Sequence, residues 1–214
     1  MSVMMPAGRA VLFGFVPFLE FRENPSEKIV QSLDGQVLNG LNVEGHILPV
    51  DFNRIEQIIM DAIDGRKPSI VLGLGLAPGR SCISVEKIAI NYRLASAADN
   101  AGRKANGQPV DRSQPDGLFS NMDVERTAAM LNRRKIPATV SITAGGYLCN
   151  NAMFIIAREA RKRGFIGGFL HIPCDEEMAS RKQYSKYPYM PLERMTEAVR
   201  LVISSFQVKN GTGT

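Results

Sequence analysis

Residues 43–74 read VEGHILPVDFNRIEQIIMDAIDGRKPSIVLGL and combine two apolar runs with a stretch of helical periodicity between them. The two runs, 43–50 and 69–74, have the length and composition of buried strands. The apolar residues between them recur at helical spacing, at Ile55, Ile58, Ile59, Ala62 and Ile63. This spacing predicts an amphipathic helix. A strand, a helix and a second strand in this order are typical of two parallel strands joined by a crossover helix.

The ends of this helix are marked by residues that commonly flank helices. Asp51 suits the N-cap, and Gly65 and Pro68 end the periodic pattern. The same alternation continues in both directions along the chain. The further predicted elements are strands at 9–15, 84–92, 138–141 and 167–172 and helices at 24–33, 123–135, 149–163 and 191–206.

Strands that alternate with helices predict an α/β fold, here a three-layer α/β/α sandwich with a mostly parallel sheet. The chain has 214 residues and shows neither a linker nor an internal repeat. We therefore expect a single domain over residues 1–214, with a frayed tail from about residue 210. Residues 95–121 are polar and rich in turn signals, and a loop of this length inside a compact domain is usually functional.

Composition excludes several classes of protein. Hydrophobic residues make up 44% of the chain and charged residues 22%, which is ordinary for a globular protein. The longest apolar run, 10–19, is about half a membrane span, so we expect no membrane association. Acidic and basic residues follow that run where a signal peptide would have a cleavage site, and we expect a cytoplasmic protein. The net charge of +5 is scattered and lacks interleaved aromatic residues, so no nucleic-acid partner is expected.

The chain has three cysteines, Cys82, Cys149 and Cys174, and two histidines, His46 and His171. The cysteines are odd in number and have no CxxC spacing, which argues against a disulfide framework and a structural zinc site. Two histidines are too few for a histidine-rich metal site. We expect neither a metal nor another cofactor.

Cys149 has the setting of a nucleophile. It follows Gly145 and Gly146, which allow a tight turn after a strand, and it stands at the start of a predicted helix. The unpaired N–H groups and positive partial charge of a helix start favour a thiolate and can hold an oxyanion. A buried, inert cysteine is the competing interpretation. It is favoured for Cys82 and Cys174, which have weaker settings.

His171 and Glu86 could complete a catalytic triad with Cys149. His171 ends the strand 167–172, while Cys149 follows the end of the strand 138–141, and we expect these ends to be neighbours. A nearby histidine is the usual base for a thiol. Glu86 would share an apolar strand face with Ile88 and Ile90, and a carboxylate there needs a partner such as His171. A structural histidine and a surface salt bridge of Glu86 remain the alternatives.

Residues 73–80, GLGLAPGR, follow a strand as a phosphate-binding loop would. Pro78 interrupts the cluster and no helix clearly follows, so neither a P-loop nor a dinucleotide fingerprint is complete. We interpret these residues as a turn that faces the substrate.

Several motifs together resemble the pyroglutamyl peptidase type I family, also called pyrrolidone-carboxylate peptidases, which are cysteine peptidases. The resemblance covers about residues 10–203. Its motifs stand in the order of the family: GFVPF at 14–18 with NPS at 24–26, GRS at 79–81, ISVE at 83–86, AIN at 89–91, DN at 99–100, GQP at 107–109, TAG at 143–145, CN at 149–150 and HIP at 171–173.

The resemblance implies a phosphorylase/hydrolase-like fold and removal of an N-terminal pyroglutamyl residue from peptides, without a cofactor. It implies that Cys149 is the nucleophile, His171 the base and Glu86 the orienting acid. The family's substrate-binding positions match Phe15, Phe18, Tyr147 and Asn24, of which the three aromatic residues would contact the flat, uncharged ring.

The chain departs from the family's pattern at four places. Leu19-Glu20 stand where two glycines are usual, and residues 94–100 read LASAADN where many members read D-A-R-x-P-D-N. Ser96 thereby replaces an arginine. Gly146 stands where a threonine is commoner, and Lys87 replaces an arginine. These departures leave a second hypothesis open, a weak relative that binds a small lactam or a peptide N-terminus without efficient turnover. The sequence also leaves open whether the chain forms a dimer or a tetramer.

Overall fold

The computed structural model of the protein describes residues 8–65 and 67–206, so the predicted frayed tail lies outside the described residues. The strands are β1 (Gly8–Phe15), β2 (Val37–Leu38), β3 (Leu41–Leu48), β4 (Ile70–Leu76), β5 (Ile83–Glu86), β6 (Ile88–Ile90), β7 (Arg93–Leu94), β8 (Asn106–Gln108), β9 (Gly117–Phe119), β10 (Ala138–Ser141) and β11 (Ile166–Ile172). The helices are α1 (Pro25–Leu33), α2 (Ile55–Ile63), α3 (Val124–Arg133), α4 (Leu148–Arg163), α5 (Glu176–Ser180) and α6 (Leu192–Ser204).

The central sheet has seven strands in the order β10-β5-β11-β4-β1-β3-β2. Strands β11, β4, β1 and β3 are parallel, as the alternating sequence predicts. Strand β5 runs antiparallel to β11, and β10 is parallel to β5. The prediction of an α/β fold with a mostly parallel sheet is confirmed.

Helices cover both faces of the sheet because successive strand residues point to opposite sides. On β1, Leu12 faces the apolar layer that contains α1, α3 and α6, whereas Phe13 faces the layer that contains α2 and α4. Both side chains are fully buried. No helix among the described residues is both long and apolar enough to cross a membrane.

Two local predictions are wrong. Asp51 does not cap α2, which begins at Ile55 after Arg54. The Asp51 carboxylate instead accepts hydrogen bonds from the Asn53 N–H and from Arg103, which builds a turn before the helix.

The predicted strand 84–92 is broken at Lys87. Its first part, β5, belongs to the central sheet, while β6 pairs with β9 in a separate two-stranded sheet. The Lys87 N–H completes the ladder to Ser141, and its carbonyl then accepts from the Ser120 N–H, so the chain leaves the main sheet there. Glu86 and Ile88 therefore belong to different sheets, and the expected shared face does not exist.

Candidate active site

The side chains of Cys149 and His171 lie on the same face of the sheet, over β4 and its neighbour β11. His171 on β11 and Gly75 on β4 are register partners, so their side-chain positions share one face of the sheet. A Cβ added to Gly75 would lie 2.7 Å from the Cys149 Sγ. The thiol thus occupies the space that a side chain at position 75 would fill, next to the strand of His171. Glycine at this position is a requirement of the site.

The sequence predicts that the strands before Cys149 and at His171 are neighbours, and this prediction is wrong. The two residues nevertheless lie on the same part of the sheet. The strand before Cys149 is β10, and β5 separates it from β11. Cys149 reaches the site because the turn after β10 carries the start of α4 back over β4. The antiparallel orientation of β5 could not be read from the sequence, and it changes which strand ends are neighbours.

Glu86 holds the ring of His171. The His171 Nδ1 lies 2.8 Å from the Glu86 Oε1, and both residues are buried. The carboxylate favours the tautomer in which Nδ1 carries the proton. The Nε2 atom is then the ring nitrogen that can exchange a proton with the thiol.

Arg80 is a second partner of this carboxylate. Its Nη1 donates to the same Oε1 over 2.7 Å, and its Nη2 donates to the Thr143 carbonyl over 3.3 Å. Arg80 therefore balances the buried charge of Glu86 and ties it to the turn before Cys149. The sequence shows Arg80 at the end of a glycine cluster and within the GRS motif at 79–81, and its contact with Glu86 depends on the fold of the loop between β4 and β5.

Burial, followed by the negative charge of Glu86, raises the pKa of the Cys149 thiol to about 12, although Arg80 opposes this shift. The expected preference for a thiolate at the helix start is wrong, because desolvation outweighs the partial charge of the helix. Burial therefore favours the neutral thiol. A thiol in this setting needs a nearby base before it can attack as a nucleophile.

The first turn of α4 supplies backbone donors beside the thiol. In a helix, the N–H groups of Leu148, Cys149 and Asn150 have no intrahelical acceptor. The Asn150 side chain accepts from the Ile90 N–H and donates to the Ile90 carbonyl, which fixes the helix start against β6. Unpaired N–H groups of this kind can stabilise an oxyanion that forms beside the thiol.

A small aromatic cavity opens beside Cys149. It brings together all four predicted substrate-binding residues and adds three that the sequence did not point to; the lining is Phe15, Phe18, Asn24, Val50, Leu76, Tyr147, Leu148 and Cys149. Phe15, Val50 and Leu76 lie at or just after the carboxyl ends of β1, β3 and β4. The rule that ligands bind at such ends could have found Val50 and Leu76.

The cavity is nearly closed, with a volume of about 10 Å³, which is the space of roughly one water molecule. The rings of Phe18 and Tyr147 are 6.4 Å apart, and both are only partly buried. A ligand larger than one water molecule therefore requires the side chains that line the cavity to move.

Asn24 is buried in the wall of this cavity and also caps α1. Its Oδ1 accepts from the N–H and the hydroxyl of Ser26, and its Nδ2 donates to the Val16 carbonyl. One amide hydrogen is left for a ligand. The side chain therefore fixes the shape of the wall as well as lining it.

The remaining cysteines and histidine lie outside this constellation. Cys174 is fully buried, and its pKa is raised to about 11, first by burial and then by Asp175. Cys82 is partly buried in the loop before β5. His46 lies on β3, where its ring is 5.6 Å from that of Phe13.

Comparison with known proteins agrees with this geometry. A family model described as pyroglutamyl peptidase matches residues 9–208. The chain belongs to the pyroglutamyl peptidase family.

Relatives and solved structures extend the similarity over most of the chain. Pyrrolidone-carboxylate peptidase 1 of Saccharolobus solfataricus is 49% identical over 193 residues, which cover 90% of this chain and 91% of that protein. The pyrrolidone-carboxylate peptidase of Pyrococcus furiosus is 35% identical, with 91% and 96% covered. A crystal structure of the P. furiosus pyrrolidone carboxyl peptidase superposes with a TM-score of 0.88 at 34% identity and covers 92% of this chain and 97% of that one.

Two departures from the family's pattern contact each other. The Leu94 N–H donates to the Gly146 carbonyl over 3.0 Å, and a Cβ at position 146 would lie 2.6 Å from the Leu94 carbonyl oxygen. The backbone of 93–95 thus fills the space that a side chain at position 146 would need. The Tyr147 hydroxyl donates to the Ala98 carbonyl over 2.8 Å and fastens the same segment to the start of α4.

The arginine that Ser96 replaces has no direct substitute in Arg93. The Arg93 guanidinium donates to Asn151 and to the Val110 carbonyl and lies over the Phe52 ring. Ser96 itself is exposed. Arg80, through Glu86, is the cation that acts on the triad.

Proposed function

We propose that this chain is a cysteine peptidase that removes an N-terminal pyroglutamyl residue from peptides by acyl transfer, with Cys149, His171 and Glu86 as its catalytic residues. The observation that carries the proposal is the Cys149 thiol seated over Gly75 beside a histidine that Glu86 holds. Membership of the family supplies the substrate class, because the relatives are named for the pyrrolidone-carboxyl group.

In the first step, His171 takes the thiol proton through Nε2 while Sγ attacks the carbonyl that joins pyroglutamate to the next residue. The N–H groups at the start of α4 stabilise the oxyanion. His171 then gives the proton to the leaving amine, and the peptide departs. A thioester between Cys149 and the pyroglutamyl group remains.

In the second step, His171 removes a proton from water, which attacks the thioester and releases pyroglutamate and the free thiol. Glu86 stabilises the imidazolium of His171 that forms in each step. Arg80 offsets the negative charge that Glu86 brings to the site. Neither step uses a metal or a cofactor.

The acyl group fits the aromatic cavity chemically. A pyroglutamyl ring is flat and uncharged, so Phe15, Phe18 and Tyr147 can contact it without leaving an unpaired charge. The lactam still has one N–H and one carbonyl, for which the free Asn24 hydrogen and nearby backbone groups are available.

Two alternatives receive less support. A relative that only binds a lactam has no need of the Cys149, His171 and Glu86 arrangement, which is complete here. A nucleoside phosphorylase-like enzyme on a related fold does not require a cysteine and a histidine at these positions. A cytoplasmic location stays a prediction.

The test is the hydrolysis of a fluorogenic pyroglutamyl amide by the purified chain in the presence of a reductant. Cys149→Ala should abolish turnover and keep the fold, because no other thiol adjoins His171. Cys82→Ala is the matched control and should keep most of the activity. Full turnover by Cys149→Ala would refute the assignment of the nucleophile.

The two histidines provide a second matched pair in the same assay. His171→Ala should lower kcat by orders of magnitude, because burial leaves the thiol protonated and only a base can activate it. His46→Ala should have little effect. Equal losses in both variants would contradict the role of His171 as the base.

A further inference from the structure

The catalytic histidine belongs to a row of register partners that crosses the sheet. Thr139 on β10 pairs with Ser84 on β5, Ser84 pairs with His171 on β11, and His171 pairs with Gly75 on β4. Register partners point to the same face, so this row lies on the side of the sheet that carries Cys149. It extends from the nucleophile to an outer strand of the sheet.

The proposed reaction indicates on which side of Cys149 the leaving peptide lies along this row. The aromatic cavity for the ring lies on the β1 side of Cys149, as the position of Phe15 shows. His171, which protonates the leaving amine, lies on the opposite side, on β11. The leaving peptide therefore points from Cys149 toward β11 and onward to β5 and β10.

An open groove lies where that direction leads. Its lining includes Arg80, Ser81, Ser84, Thr139 and Ser141, and its volume is about 480 Å³. Four of the nine residues that line the groove carry hydroxyl groups, and Val140 and Ile142 add apolar surface. Ser141 is the register partner of Glu86, and Arg80 bonds to Glu86, so the groove adjoins the triad directly.

We propose that this groove binds the peptide on the leaving side of the scissile bond. This proposal rests on the proposed function. Three strand spacings of about 4.8 Å separate β4 from β10, and an extended peptide rises about 3.3 Å per residue. The groove accordingly holds about the first four residues after pyroglutamate.

The groups in the groove indicate what it recognises. Hydroxyl groups can donate to peptide carbonyls and accept from peptide N–H groups, whatever the side chains are. Strand β10 is also an edge strand, with β5 as its one neighbour among the described residues of the sheet. The groove thus selects for peptide length more than for sequence.

The experiment compares kcat/KM for a fluorogenic pyroglutamyl amide with kcat/KM for pyroglutamyl peptides of two to seven residues. For the natural chain, the value should rise with length and level off at about five residues. For each protein, kcat/KM for the five-residue peptide is divided by kcat/KM for the amide. Thr139→Trp should lower this ratio at least fivefold. Val37→Trp, which adds the same side chain to an exposed site on the opposite edge strand, β2, should leave this ratio unchanged.

Ser81→Trp narrows the groove from the loop side and gives the same test if the first variant fails to fold. If the chain hydrolyses the amide but kcat/KM does not depend on peptide length, the proposed role of the groove is refuted and the proposed function stands. Failure of the natural chain to cleave the amide would refute the proposed function instead. A Thr139→Trp chain with an unchanged ratio but an altered mass in solution would assign this edge to an interface between copies and overturn the proposal.

Discussion

At the scale of single residues, the site depends on how the charge of Glu86 is balanced. The carboxylate is fully buried, and both His171 and Arg80 contact its Oε1. A buried carboxylate with a single neutral partner would be strongly destabilising, so the contact with Arg80 stabilises Glu86 in its buried position. Glu86 is thereby held where it contacts His171.

Leu19 shows strain at one position. Its φ angle is 52°, in the left-handed region that favours glycine, and its side chain is exposed. This is one of the two positions where the family commonly has glycine. The sequence predicts a stiffer and bulkier loop here, and the backbone angle gives that prediction a physical basis.

Leu19→Gly should stabilise the chain by up to about 1.5 kcal/mol. Relief of the left-handed strain is worth about 1–2 kcal/mol, and the extra freedom of glycine in the unfolded chain takes back roughly 0.5–1 kcal/mol. The measurement is the free energy of unfolding in urea. Leu19→Ala is the control, because it removes the side chain and keeps the strain. An equal change in both variants would show that the side chain, not the backbone angle, is responsible.

At the scale of elements, the start of α4 and the segment 93–95 form one unit. The Leu94 N–H bonds to the Gly146 carbonyl, and the Tyr147 hydroxyl bonds to the Ala98 carbonyl. Cys149 is two residues beyond Tyr147. Its position therefore depends on a segment that is distant in sequence and that departs from the family's pattern.

Gly146→Thr should lower kcat/KM about 100-fold, even though threonine is common at this position in the family. The new Cβ would lie 2.6 Å from the Leu94 carbonyl oxygen, so the turn must shift by about 1 Å, and such a shift at a reacting group costs about two orders of magnitude. The fluorogenic amide assay measures this loss. Gly117→Ala, whose Cβ has ordinary contacts of 3.4 Å or more, is the control. Normal activity of Gly146→Thr would mean that 93–95 moves without disturbing Cys149.

The elements also show what could be predicted from the sequence. Helices α1 and α3 have Asn24 and Asp123 as their N-caps, which are the first residues of the predicted ranges 24–33 and 123–135, because capping is local. The break at Lys87 depends on hydrogen bonds to Ser141 and Ser120, far along the chain, and no local pattern marks it.

The candidate site divides in the same way. Cys149 and His171 could be named from their residue types and their local settings. Glu86 is predicted from a strand face that the structure does not contain, and the family resemblance implies its role. Three further features become visible only when the order and register of the strands are known. They are the contact of Arg80 with Glu86, the position of the thiol over Gly75 and the row through Ser84 and Thr139. Strand order and register depend on long-range pairing, which the sequence does not display.

At the scale of the whole molecule, two carboxylates fasten residues 91–111 to the body. Asp51 accepts from Asn53 and Arg103, and these hydrogen bonds outweigh burial, so its pKa is lowered. Hydrogen bonds from Ser113, followed by one from Arg158, lower the pKa of Asp111 against the effect of burial. Both anchors stabilise the fold only while the carboxylates are ionised.

The chain should consequently lose stability as the pH falls below about 4, the ordinary pKa of an aspartate in an unfolded chain. A folded-state pKa below that value means that the stabilisation is fully present above about pH 4 and disappears as the pH falls through the lowered pKa values. The free energy of unfolding in urea, measured between pH 7 and pH 2.5, should fall less in the Asp51→Asn, Asp111→Asn double variant, which lacks both titrating groups. Asp61→Asn changes an exposed carboxylate that bonds to Gln57 and should keep the pH dependence of the natural chain. The same slope in all three proteins would show that acid acts elsewhere. A smaller slope in the double variant alone would assign acid sensitivity to the anchors of the segment that positions Cys149.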